Sequence, residues 1–229
     1  MFVHKEKGLA MSVHGDDFTT ARPKASLDWF VGALREKYEL KESERLGGGP
    51  GDSKEARVLN RIVRWTDHGL EYEADPRQAE KLIQELGLEG CKGVSTPARK
   101  ATAEQHSTDR EIEPHKVTHF RALAARANYL SADRPDCQLS AKEVCRFMAS
   151  PTQLSVEALK RLGRYLSSHP RLVYLYPFQR DVQFCHVYAD ADHAGCLRTS
   201  KSTSGGRVVM GSQLMKSWAS TQPVITVKW

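Results

Sequence analysis

Apolar positions recur along this chain with two periods, and the period changes several times. Over residues 8–20, Leu9, Met11, Val13, Phe18 and Thr20 flank the polar break HGDD, a pattern that predicts two short strands joined at a tight turn. Residues 23–40 switch to helical spacing, with Leu27, Phe30, Val31, Leu34 and Tyr38 three and four apart and Pro23 suited to a first turn. GGGPGDS at 47–53 is a loop by composition, and it lacks the GxxxxGK[ST] spacing of a phosphate-binding loop. ARVLNRIVRW and GLEYEA then alternate as strands around Asp67-His68-Gly69. Asp75-Pro76 opens a second helix, PRQAEKLIQELGL, expected to end near Gly87 or Gly90.

Residues 91–113 hold small, polar and charged side chains with no sustained period and are expected to be a linker. Three helices are predicted after it, at about 115–131, 137–149 and 153–168. DRPD separates the first two, and Ser150-Pro151-Thr152 supplies a breaker and a cap before the third. Leu159, Leu162 and Leu166 are its expected buried side, while Lys160, Arg161 and Arg164 cluster on the same helix. From Arg171 the pattern is β again, through LVYLYP, VQFCHVYAD, SGGRVVMG and QLMKSWAS. The order ββ–α–ββ–α–linker–ααα–ββββ, without an internal repeat, is an α+β chain of at least two units.

Composition narrows the class. With 40% hydrophobic and 27% charged residues among 229, the chain is globular rather than disordered. No apolar run is of membrane-spanning length, and the first ten residues carry no signal-peptide core, so an intracellular protein without membrane partners is expected. Five cysteines without a CxxC pair are expected to be reduced thiols. His115 and His119 sit one helical turn apart, as zinc ligands can, but no third ligand accompanies them. The net charge of +6 is unevenly placed: residues 114–180 carry eleven Lys/Arg against four Asp/Glu, a surplus of seven, so the rest of the chain sums to −1. A basic third of this kind suits a polyanion, most simply a nucleic-acid backbone, or else only solvates helix faces.

Two carboxylate groups stand out. Asp16 and Asp17 lie side by side at the predicted hairpin, where folding alone gives little reason for adjacent negative charges. In VYADADHAG an apolar strand runs straight into Asp190 and Asp192. Carboxylates at strand ends are where two-metal phosphoryl-transfer sites are built; turn chemistry or a polar strand end are the bland readings of the same residues.

The ordered set HGDD, VLNRIVRWTDHGLEYEADPRQAEKLIQELGLEGCKGVSTP, HFRALAARANYLSADRPDCQLSAKEVCRFMASPT and VYADADHAG…KSTSGGRVVMGSQLMKSWASTQ resembles the Pol polyprotein of Ty1/copia retrotransposons, where reverse transcriptase runs into ribonuclease H. The resemblance covers about residues 8–228. It implies a partial reverse-transcriptase palm at 1–90, a linker at 91–113, a helical thumb and connection at 114–170, and a truncated ribonuclease H-like sheet at 171–229. It implies Asp16 and Asp17 as polymerase metal ligands and Asp190 as a ribonuclease H ligand, with Mg²⁺ or Mn²⁺ as cofactor; Asp192 matches a family position without an assigned role. His14 stands where the family usually has an aromatic residue. The expected partners are an RNA–DNA hybrid or duplex nucleic acid, with Lys160, Arg161 and Arg164 on its backbone, and the remaining Pol segments. The expected location is cytoplasmic, in a virus-like particle, and nuclear. By the same resemblance the fingers and a third palm aspartate precede Met1, and the glutamate of an S-x-E-A-E helix follows Trp229. Neither activity is therefore expected of these 229 residues alone; a nucleic-acid-binding module or a non-functional relic is the alternative.

Overall fold

The structure, a computed structural model, describes residues 1–180 and 182–225. Strands and helices mix along the chain in the α+β manner the pattern predicts. Three antiparallel strands, β1 (Phe2–His4), β2 (Leu9–His14) and β3 (Asp17–Ala21), form the first sheet, in the order β1-β2-β3. His14 pairs with Asp17, which leaves Gly15 and Asp16 as the turn, and Gly15 takes φ +61°, a conformation glycine adopts without strain. Helix α1 (Lys24–Arg35) starts after Pro23, as expected, and stops short of Leu40. It has no buried residue, and its apolar stripe is only half-covered.

The second sheet is built from β4 (Glu55–Val58), β5 (Arg61–Thr66), β6 (Gly69–Glu73) and β7 (Val173–Pro177), hydrogen-bonded in that order. Two features differ from the pattern-based expectation. ARVLNRIVRW is two strands rather than one, because Leu59 and Asn60 both turn into positive φ (50° and 68°), the backbone that a two-residue hairpin requires. LVYLYP, grouped by sequence with the C-terminal segment, pairs Tyr174 with Tyr72 and Tyr176 with Leu70, so a sheet begun before residue 75 is completed a hundred residues later. Gly69 makes this possible, since a Cβ there would collide with the backbone at Tyr176.

Helices α2 (Pro76–Glu85), α4 (Pro114–Ser131), α5 (Gln138–Cys145) and α6 (Gln153–Ser168) enclose the core. Leu82, Leu123, Ala124, Ala127, Val144, Leu159, Leu162 and Leu166 are nearly solvent-free and touch across the four helices. The helix ends follow the sequence signals. Asp75 accepts from Arg77 N, and Gly87 N and Leu88 N return to Gln84 O and Ile83 O in a Schellman closure. Thr152 and Ser155 cap each other at the start of α6.

Residues 91–113 are not a free linker. They contain a short helix, α3 (Ala103–Ser107), and bury Ile112. Ser140 and Ser168 donate to the carbonyls of Pro97 and Val94, while Ile112 N and Gln153 N exchange bonds with Pro151 O and Arg110 O. Absence of a hydrophobic period gives no sign of this, because the segment is fastened by its backbone rather than by an apolar face.

DRPD also does more than interrupt helices. Arg134, 2% exposed, forms a two-bond fork with Asp136 at 2.9 and 2.7 Å and donates to the carbonyls of His169 and Pro170. Tyr165 donates to the same carboxylate at 3.0 Å. Burial pushes the Asp136 carboxyl up, but Arg134 and Tyr165 outweigh it and hold it below its ordinary value. Glu73, held by Arg171 and Arg64, is lowered in the same direction. Carboxyls depressed on folding contribute stability that is complete above their unfolded values of about 4 and is lost as pH falls through the folded ones. The melting temperature therefore falls steeply as the pH drops below about 4. Asp136→Asn, which leaves the buried Arg134 charge without its counter-ion, destabilises the neutral protein by about 3 kcal/mol and flattens that acid limb. Thermal melts of both proteins across pH check this; parallel acid limbs would contradict it.

Candidate functional site

Helix α5 carries the third sheet on its outer side. That sheet consists of β8 (Cys185–Ala191), β9 (Lys201–Met210) and β10 (Gln213–Ile225), antiparallel in the order β10-β9-β8. The attachment is polar. Lys142 donates to the Thr203 hydroxyl at 2.8 Å, Gln138 to Ser217 O at 3.4 Å, and Arg146 to both Cys196 Sγ and the Thr199 hydroxyl. These bonds bring the end of β8 and the loop after it to face α6. The gap between them is a cleft of about 750 Å³.

One of its walls belongs to α6 and supplies Lys160, Arg161 and Arg164, the three cations singled out in the sequence. Their spacing on a helix whose opposite side is locked by Leu159, Leu162 and Leu166 fixes them toward this space. Lys160 is exposed. Arg161 Nη2 donates to the Thr96 hydroxyl at 2.7 Å and Arg164 Nε to Lys92 O at 2.9 Å. Both acceptors are neutral, so these bonds orient the guanidinium groups without cancelling their charge. Arg99 and Lys100, from the segment expected to be a linker, and Arg198 add to the same lining.

The facing wall carries Asp190 and Asp192. Asp190 is exposed near the end of β8 and, among the described residues, accepts only the neighbouring Ala191 N–H, at 2.8 Å. Asp192 lies beyond the strand end, and its carboxylate accepts Thr203 N–H while its own N–H returns to Thr203 O. The two aspartates are thus not equivalent, one free at the cleft and the other closing a turn. Asp16 and Asp17 do not line this cleft; both are exposed at the tip of the first sheet. Among the described residues no group of three or more His, Cys, Asp or Glu side chains is placed to hold a metal ion, His115 and His119 included. Among the described residues, neither aspartate position gathers the carboxylates of a two-metal set.

Cys196, which the sequence did not single out, also lines the cleft. All five cysteines are free thiols. Burial raises the Cys196 thiol, but hydrogen bonds from Thr199, from Arg146 at 2.8 Å and from nearby backbone N–H groups bring it down to about 7. Burial pushes Cys137 and Cys145 the other way. The signal that could have found Cys196 is its partner Arg146, fifty residues away, which no local pattern reveals. In the folded protein Cys196 is expected to react with iodoacetamide with a midpoint near pH 7, moving up in Arg146→Ala, while Cys137 stays unlabelled. Peptide mapping over pH checks this, and labelling of Cys196 that begins only in the alkaline range would contradict it.

Comparison with known proteins gives three informative relatives. An uncharacterised mitochondrial protein of Arabidopsis thaliana, AtMg00810, is 29% identical over 153 residues, 66% of this chain and 61% of its own length. The retrovirus-related Pol polyprotein from transposon RE1 of Arabidopsis thaliana is 30% identical over 61% of this chain and 9% of its own length. The corresponding polyprotein from transposon RE2 is 28% identical over 93% of this chain and 14% of its own. This chain thus spans less than two thirds of each relative, and a small part of the two polyproteins. No family model matches, and no solved structure matches. Near-complete coverage of the chain by the second polyprotein agrees with the motif order of its sequence: the chain is homologous to a segment of the retrovirus-related Pol polyproteins of transposons, of the copia type that its motifs resemble.

Proposed function

We propose that this chain is the nucleic-acid-handling segment of a copia-type Pol: the late palm at 1–90, the thumb and connection through α6, and the first strands of ribonuclease H. The observation that carries this reading is the meeting of Lys160, Arg161 and Arg164 with Asp190 across one cleft. If the Ty1/copia resemblance extends to its domains, that cleft would lie where a backbone-tracking helix faces the start of a nuclease sheet. The cations would hold phosphates of an RNA–DNA hybrid or duplex, contacts that position the strand without reading its sequence. The ancestral chemistry would be Mg²⁺- or Mn²⁺-dependent nucleotidyl transfer at Asp16 and Asp17 and RNA hydrolysis at Asp190.

The 229 residues alone would perform neither reaction. Among the described residues, Asp16 at the hairpin turn and Asp17 at the start of β3 are not joined by a third carboxylate, and Asp190 belongs to no group of three or more metal-ligating side chains, Asp192 accepting Thr203 N–H. A metal at either place would need further ligands to be positioned against a substrate, and positioning supplies most of the rate in phosphoryl transfer.

Binding is the testable part. If α6 neutralises about three phosphates, affinity for an RNA–DNA hybrid falls roughly 40-fold for a fourfold rise in salt. Replacing Lys160, Arg161 and Arg164 together by Ala weakens binding at least about tenfold at low salt and flattens the salt dependence. Fluorescence anisotropy with a labelled hybrid measures both, and affinity insensitive to salt or to the triple substitution would refute the reading. With a primed template and Mg²⁺, the purified chain is expected to give no extension; extension that disappears in Asp16→Asn would overturn the inactive assignment.

A further inference from the structure

The cleft between α6 and the third sheet is not lined as a groove for phosphates alone would be. The cations Arg99, Lys100, Lys160, Arg161 and Arg164 and the carboxylates of Glu143, Glu157, Asp190 and Asp192 share its lining with apolar side chains. Leu88, Leu154 and Ala158 line it partly covered, while Leu139 and Leu197 remain 46% and 52% exposed. Phe147 also lines the cleft, with the Arg198 guanidinium 4.5 Å above its ring. Large apolar side chains kept in contact with water among charged ones are unfavourable unless a ligand covers them.

A duplex offers little to such an apolar surface, since its base faces are stacked inward and only base edges, sugars and phosphates are exposed. Its size is also wrong. About 750 Å³ is the volume of a pocket that encloses a small molecule, whereas the major groove of a duplex is by itself about 12 Å wide. Unpaired nucleotides match both features: the base has an apolar face for Leu139, Leu197 and the Phe147–Arg198 pair, and the phosphate reaches the cations. Asp190, which cannot favour a phosphate, can accept from a base's exocyclic amine. Arg161 keeps a buried Nε–H with no acceptor among the described residues, a donor that a phosphate oxygen would satisfy.

Resting on the nucleic-acid reading above, we infer that the cleft takes an unpaired strand, one or two nucleotides deep, with bases on Leu139, Phe147 and Leu197 and phosphates on the α6 cations. A hybrid or duplex would then rest its phosphates on the α6 cations at the mouth of the cleft and deliver a frayed or overhanging end to the apolar side chains inside. The preference runs against simple electrostatics, because a single strand has the lower charge density.

The test compares three labelled probes by anisotropy at one salt concentration: a short single strand, a blunt duplex of the same sequence, and that duplex with a single-stranded overhang. The single strand and the overhang are expected to bind about tenfold more tightly than the blunt duplex. Leu139→Ser/Leu197→Ser, at two exposed positions, is expected to abolish that preference while leaving duplex affinity and the thermal melt unchanged. Phe147→Ala is a second variant, informative where its melt stays cooperative. Equal, salt-sensitive affinity for blunt duplex and overhang overturns the inference and leaves the nucleic-acid reading standing. A preference that survives in Leu139→Ser/Leu197→Ser also overturns it. No binding of any probe overturns both.

Discussion

A buried ion pair holds the parts of this protein in register. Arg134 has almost no contact with solvent, and its charge is tolerable because Asp136 meets it with two bonds and two backbone carbonyls take two of its three other donors. Those carbonyls, of His169 and Pro170, lie where α6 ends and the chain turns toward β7. The pair therefore joins the loop between α4 and α5 to the exit of α6, and it directs Val173–Pro177 onto the free edge of β6. Removing either partner would strand the other, which is why so short a motif governs both the helical core and the closing of the second sheet.

From that constraint the cleft follows. With α5 and α6 fixed against each other by the apolar core, the third sheet needs only a few polar contacts to α5 to be placed, and Lys142, Arg146 and Gln138 supply them. The result is a cationic helix facing an acidic strand end across a cleft lined in part by apolar side chains. The first sheet shares little of this framework. It meets α1 through the edge contact of His4 with Trp29 and the cation of Lys7 over the same indole ring, and Asp16 and Asp17 are exposed at its tip.

Much of this was legible in the sequence, for reasons that can be named. Helices with strong caps, such as α2 between Asp75 and Gly87 and α6 after Thr152, announce themselves because their end signals and apolar periods are local. The three cations were legible because a single helix carries them. The split at Leu59-Asn60 was hidden, since leucine is no turn former and only its backbone angle reveals the hairpin. The fastening of residues 91–113 and the pairing of β7 with β6 were hidden because both rest on backbone bonds between distant segments. The same is true of the site. Asp190 was visible as a strand-end carboxylate, but its meeting with Lys160, Arg161 and Arg164 depends on how α5 docks the third sheet, and so does the position of Cys196 against Arg146. The Ty1/copia resemblance reached the same residues through their order along the chain, without showing which would share a cleft.

The most direct test of the account is an amide chemical-shift titration of the isotope-labelled protein with an RNA–DNA hybrid bearing an unpaired end. The account predicts that the shifts concentrate at residues 160–164 and 190–199 and leave the hairpin at Gly15–Asp17 unmoved. Shifts confined to that hairpin, or scattered over the surface without the α6 wall, would contradict it.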